Sequence, residues 1–298
     1  MERIIMIKTL NNRFILFNFI IISCAIIGLM KPIYPQFSGS DSSFHPYIIN
    51  YWADGSIVGV GAAANLLGIP LSQNKQELSL LDVQSLNPGS ISGIDKWALE
   101  QNPNKMTEFE NYSDYALIAS VLLPGLLMSD KQIRKDWFDV LIMYAETMSI
   151  TANIYEWSFL GPTFQNKFRP VTYYDQLTYD QKKSGDNRNS FYSGHTANAA
   201  AATFFIAKVY SDYNPGIGNN KYLLYGAATI PPLIVGYFRV KAVKHFPSDI
   251  MVGLGVGALT GIIIPELHRR RDPDMSLGLF SSPEATGLAI TWSTNFLN

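Results

Sequence analysis

The 298-residue sequence predicts an all-α fold: a helical bundle with an N-terminal signal or anchor helix and a C-terminal β-hairpin-like tail. Three observations predict it. Apolar stretches of helical length recur from residue 49 to residue 267. A basic-flanked apolar run precedes them. Strict apolar alternation, the period of a strand, appears only near the end of the chain.

Residues 1–13 carry Arg3, Lys8 and Arg13, and Phe14 to Met30 is apolar up to Lys31-Pro32. Basic flank, apolar run and stop describe an export signal or a membrane anchor. Ile21-Ile22-Ser23-Cys24 is also similar to a bacterial lipoprotein cleavage box, which would make Cys24 the lipidated residue; the apolar residues beyond it argue for a buried small residue instead. Each variant implies export to the cell envelope. Residues 35–48 read as a linker.

A Gly-rich helix is expected over 49–69, where the close Gly spacing suits tight helix contact but weakens helix propensity. Residues 70–113 are polar and punctuated by Pro70, Asn87-Pro88-Gly89 and Asn102-Pro103, so they read as a connection with a short helix near 95–101. Helices follow over 115–128, 137–159, 196–210, 222–237 (interrupted at Pro231-Pro232) and 249–267. Glu146 stands among apolar residues in the second of these, either as a satisfied buried carboxylate or on a solvent face. Only the N-terminal run approaches a clean 18-residue span, so the pattern fits a periplasmic globule or a membrane-associated bundle. After the charged break 266–274, Leu288, Ile290, Trp292 and Phe296 share one face of a strand, and 281–286 forms the turn.

The bulk numbers exclude several classes. Net charge is −1, and no basic stripe with interleaved aromatics suggests nucleic acid. The single Cys24 excludes an internal disulfide framework and a cysteine zinc site. Mean hydropathy is +0.07 with 16% charged residues, apolar for a soluble protein and low for a multispanning one. No clustered Asp/His set suggests a metal, and no cofactor is expected. Of the four histidines, His45 and His268 read as surface residues; the other two fall in motifs.

The strongest motif is Arg239-Val-Lys-Ala-Val-Lys-His245-Phe-Pro-Ser-Asp249. Pro247 suits the first position of a helix, which places His245 just outside its start and Asp249 about one turn in, able to reach back to the imidazole. Asp249 also fits a plain N-terminal helix carboxylate. Arg239 supplies a planar fork for an anion's oxygens. In Ser193-Gly194-His195-Thr196, which opens an Ala-rich run, the start of a helix offers free N–H groups to an anion and places His195 beside them. Arg169-Pro170 contributes a second guanidinium.

In this order the three motifs resemble those of the type 2 phosphatidic acid phosphatase and vanadium haloperoxidase superfamily, over about residues 115–265. Its third motif is matched at Arg239, His245 and Asp249, with Phe238 where the family has Ser. Its second is matched at Ser193, Gly194 and His195, with Tyr192 in place of Pro. Its first is matched at Arg169 and Pro170, with Pro162 in place of Lys. The resemblance implies a bundle of that superfamily's kind and a metal-independent phosphatase. His245 would attack phosphorus and carry the phosphoryl group, and Asp249 would fix its tautomer. His195 would serve as acid and then base, while Arg169, Arg239 and the Ser193-Gly194 backbone hold the oxygens. Lys167, two residues before Arg169, would point the same way in an extended segment and could replace the missing ammonium.

The expected substrate is a phosphorylated lipid or small-molecule phosphoester, with the membrane surface as the other partner. A soluble-substrate acid phosphatase and a catalytically weak envelope protein are the alternatives. The expected division is 1–31 signal or anchor, 32–113 helical and linker region, 114–268 catalytic core and 269–298 tail.

Overall fold

The computed structural model describes residues 45–270, 275–281 and 286–292. The expected signal or anchor at 1–31, including Cys24, lies outside the described residues.

Seven principal helices build a bundle: α1 (Tyr51–Gln73), α2 (Met106–Leu122), α3 (Trp137–Trp157), α4 (Gly194–Tyr213), α5 (Lys221–Ala228), α6 (Ile230–Lys241) and α7 (Pro247–His268). Short 3-10 turns join them, among them Gly93–Leu99 and Leu123–Ser129. α4 is the central post, with 15 of its 20 residues buried. A helix buried all round belongs inside a bundle rather than on its surface. α7, α6, α2 and α3 pack on α4, and α1 packs along α3. Phe205 and Val209 of α4 meet Val140 and Met143 of α3, Ile264 of α7 and Leu127 in one core cluster.

Several boundaries differ from the sequence reading for local reasons. α2 begins at Met106, nine residues before the apolar run, because 106–114 continues the helix as a polar first half. The break expected at Pro231-Pro232 falls at Thr229, and both prolines then sit in the first turn of α6, where a missing N–H costs no hydrogen bond. The Gly spacing in α1 brings Gly61 against α3 at Ser149 and Gly68 against it at Glu156 and Trp157; Gly55 and Gly59 face open space.

These continuations make longer apolar helices than the interrupted runs suggested. Among the described residues, four segments are long and apolar enough to cross a membrane: Tyr51–Gln73, Pro103–Ser129, Pro215–Lys241 and Pro247–His268. Their outer faces carry exposed apolar side chains, including Leu66, Leu67, Ile118, Leu223 and Leu259. Exposed aromatics lie towards the two ends of the bundle, Trp52, Trp137 and Tyr222 at one and Trp97, Phe159 and Tyr237 at the other. Interfacial aromatic belts have this distribution.

After the bundle, β1 (Met275–Ser281) pairs antiparallel with β2 (Thr286–Trp292), Met275 opposite Trp292 and Ser281 opposite Thr286. The intervening 282–285 and the end of the chain, with Phe296, lie outside the described residues.

A tight helix contact joins α7 to α4. Gly253, Gly257 and Gly261 form one face of α7 against the backbone of α4, and a Cβ at 257 would overlap the carbonyl oxygen of Ala197. Small residues that let helix backbones approach are typical of membrane helix pairs. Gly255, on the opposite side, faces open space. Gly257→Ala is therefore expected to lower the thermal unfolding temperature in detergent, with a cost of about 1–3 kcal/mol or more for overpacking. Gly255→Ala, with no such overlap, should leave it unchanged or raise it slightly, because Ala favours a helix over Gly.

Candidate active site

The site forms where the start of α4, the end of α6 and the start of α7 meet. Ser193 caps α4, its side chain accepting the Thr196 N–H. The N–H groups of Gly194 and His195, first in the helix, have no intrahelical acceptor. The last turn of α6 carries Arg239 inward, almost fully buried. A tight turn follows, with Val243 at positive φ, and delivers His245 just before α7. Arg169 enters from the segment before Pro170, with its N–H bonded to Asn187 O.

Arg169, Arg239, Gly194, His195 and His245 line one cavity of about 450 Å³. The remaining lining includes Ile69 and Ser72 of α1, Glu110, Asp114 and Leu117 of α2, and Tyr155 and Glu156 of α3. Three separated motifs thus converge on one space.

The two guanidiniums differ in their partners. Arg169 Nη1 pairs with Asp186 and its Nε donates to Asn189 O at 3.5 Å. Arg239 donates a long 3.4 Å hydrogen bond to Ser113 Oγ, and its buried Nε has no partner. A buried guanidinium with donors to spare beside a cavity is a receptor for an anion.

His245 is buried, and its Nδ1 lies 2.6 Å from the carbonyl oxygen of Ser190. A carbonyl only accepts, so Nδ1 carries the proton and Nε2 keeps its lone pair. Burial first, then Arg239 and Arg169, hold His245 well below the ordinary imidazole value. It is neutral at neutral pH, as a nucleophile must be. His195 Nε2 lies 3.0 Å from Asp114 Oδ1. Burial and the same two arginines push its pKa down too, to about 3. A bound phosphate would offset the field of the arginines and make His195 easier to protonate.

Residues 140–273 match the family model described as the PAP2 superfamily. This core is what the chain shares with the PAP2 superfamily. It is 26% identical over 113 residues to a lipid A 4'-phosphatase of Porphyromonas gingivalis, a match covering 37% of this chain and 44% of that protein. The chain thus spans less than half the length of that relative. Among solved structures, the transmembrane PAP2 type phosphatidylglycerolphosphate phosphatase of Bacillus subtilis aligns at 20% identity with a TM-score of 0.39, covering 68% of this chain and 93% of that one.

Three sequence expectations about the PAP2 motifs are corrected by the geometry. Asp249 does not hydrogen-bond to His245. Its carboxylate accepts from Ser190 Oγ at 2.6 Å, from the Phe246 N–H at 2.9 Å and from Lys167 Nζ at 2.6 Å. It therefore fixes the imidazole only through Ser190, whose carbonyl sets the tautomer. Lys167 does not enter the cavity: besides Asp249 it reaches Ser248 Oγ at 3.3 Å and lies over the Phe246 ring. An extended backbone does alternate its side chains, but a buried carboxylate drew this one away. Ser193 spends its N–H on Asp249 O, so the helix start presents Gly194 and His195 rather than Ser193-Gly194.

The three departures from the PAP2 pattern sit outside the cavity lining. Tyr192 is fully buried and packs edge-on against Tyr155, and Phe238 packs with Phe109 and Tyr112. Neither obstructs the space. Sequence reasoning missed Glu110 and Asp114, which precede the apolar run of α2 and belong to no motif; their only signal was acidic residues four apart, on one helix face. Glu110 pairs with Lys244 at 2.8 Å.

Since Lys167 acts on Asp249 and not on the cavity, Lys167→Ala should lower kcat about tenfold or more by loosening the loop that holds His245, with KM little changed. A rise in KM without loss of kcat would instead place the ammonium on the substrate.

Proposed function

We propose that the protein is a metal-independent phosphatase of the bacterial envelope that hydrolyses lipid phosphates or pyrophosphates through a phosphohistidine intermediate. The observation that carries this reading is the convergence of Arg169, Arg239, His195 and His245 on one cavity that also has walls from α1 and α2.

The phosphoryl group sits between the two guanidiniums and the free N–H groups at the start of α4. Stabilising charge on the non-bridging oxygens is the main task of phosphoryl transfer, and these fixed donors supply it without a cation. His245 Nε2 attacks phosphorus as the ester P–O bond breaks. His195 gives a proton to the departing oxygen, then takes one from the water that splits the P–N bond, returning His245 neutral and releasing phosphate. Among the described residues, the one His/carboxylate group with metal-ligand spacing is Asp54, Glu146 and His268, and it belongs to the other end of α7.

A lipid is favoured because the cavity wall comes from two helices able to cross a membrane. Ile69 and Leu117 line the cavity, while neighbouring Leu66 and Ile118 face outward. An acyl chain could lie against that face while its phosphate enters. Lipid A and phosphatidylglycerol phosphate, named for the relatives, are candidate head groups.

Purified protein should release phosphate from lipid A 4'-phosphate, diacylglycerol phosphate or prenyl pyrophosphate with a higher kcat/KM than from p-nitrophenyl phosphate. His245→Ala should abolish each activity without loss of fold. Preference for p-nitrophenyl phosphate would indicate a soluble-substrate phosphatase, and no turnover of any substrate would indicate a binding protein.

A further inference from the structure

Three side chains the phosphatase chemistry does not use converge elsewhere in the bundle. Asp54 comes from the first turn of α1, Glu146 from the middle of α3 and His268 from the end of α7. Asp54 and Glu146 are buried, and the His268 side chain is 10% exposed. His268 is therefore not the surface residue its charged sequence neighbourhood suggests, and Glu146 does not face solvent. Along α7 the cluster stands about 28 Å from Asp249, at a rise of 1.5 Å per residue.

His268 Nε2 lies 3.1 Å from Glu146 Oε2 and 3.5 Å from Asp54 Oδ1. One ligand atom from each residue lies within 4.8 Å of the other two. Ligands at zinc distances of 2.0–2.2 Å stand about 3.3 Å apart along a tetrahedral edge, so the two separations from His268 fit one small cation.

The surroundings point the same way. His268 Nδ1 lies 2.9 Å from the Ile264 carbonyl, which fixes a proton on Nδ1 and turns Nε2 towards the two carboxylates. Asp54 Oδ2 accepts the Asn50 N–H at 2.7 Å, which aims Oδ1 inward. Glu146 Oε2 is buried, faces His268 and receives no hydrogen bond. Two carboxylate oxygens and an imidazole nitrogen this close stay together only with positive charge among them, from a proton on Nε2 or from a cation. A proton on Nε2 leaves the group at net −1 and cannot align with both carboxylates at once. A divalent cation with neutral imidazole brings it to zero.

We propose that Asp54, Glu146 and His268 form a binding site for one divalent transition-metal ion, zinc being the best fit, that clamps α1 and α3 to the end of α7. A water or a second carboxylate oxygen completes four-coordination. The site is structural: it touches none of the groups assigned to phosphoryl transfer, and it holds α1, one wall of the active-site cavity.

The test uses the full chain in detergent, stripped with chelator, desalted, and titrated with zinc. Wild-type protein should retain one zinc per chain by elemental analysis, and its thermal unfolding temperature should rise by several degrees. Glu146→Gln and His268→Ala should each lose the bound zinc and the rise. Should a variant fail to fold, cobalt(II) loaded into the wild type should give the visible absorption of a four-coordinate site with nitrogen and oxygen ligands. Zinc retained equally by wild type and variants, no zinc retained by wild type, or a six-coordinate cobalt spectrum would overturn the proposal, leaving a protonated His268 as the clamp.

Discussion

Two arginines buried at one end of an apolar bundle are the constraint on which the rest of the catalytic end depends. A guanidinium is always charged, and removing it from water is costly unless its donors are used. Arg169 has Asp186 as a counter-charge, whereas Arg239 has a long hydrogen bond to Ser113 and an unpartnered Nε. Burial first, and then the same field that calls for an anion, lower the pKa of His245 and His195. An anion receptor and unprotonated imidazoles thus stand side by side.

The framework that holds this arrangement is packed tightly where it matters. The glycine face of α7 lies on the backbone of α4, and these two helices supply Asp249 and the Gly194-His195 helix start. From Asp249 the hydrogen bonds run to Ser190 and so to the ring of His245. Lys167 and Asp95 complete the latch, Asp95 accepting from both the N–H and the hydroxyl of Ser248. The His245 imidazole is therefore positioned by side chains that do not line the cavity.

Much of the helical architecture was legible because apolar runs of helical length survive in the sequence. The membrane-spanning length of four helices was not, since it depended on polar turns and prolines being absorbed into continuous helices, as at 106–114 and Pro231-Pro232. The residues held at fixed spacing, Arg239, His245, Gly194 and His195, were singled out by the motifs, and they line one cavity. Partnerships set by tertiary contact could not. Lys167 was drawn to Asp249 across 82 positions, Asp114 reached His195 across 81, and His268 was buried against Asp54 and Glu146. In each case a charged residue with no local motif found its partner on another helix.

The central claim is that His245 carries the phosphoryl group and His195 activates the water that removes it. The most direct measurement is a rapid alkaline quench of His195→Ala protein mixed with its lipid phosphate substrate, followed by mass analysis of the peptide containing His245. The account predicts that this peptide gains one phosphoryl group, because the variant forms the P–N bond faster than it can hydrolyse it. Continued turnover in His195→Ala with no phosphoryl group on His245 would contradict it.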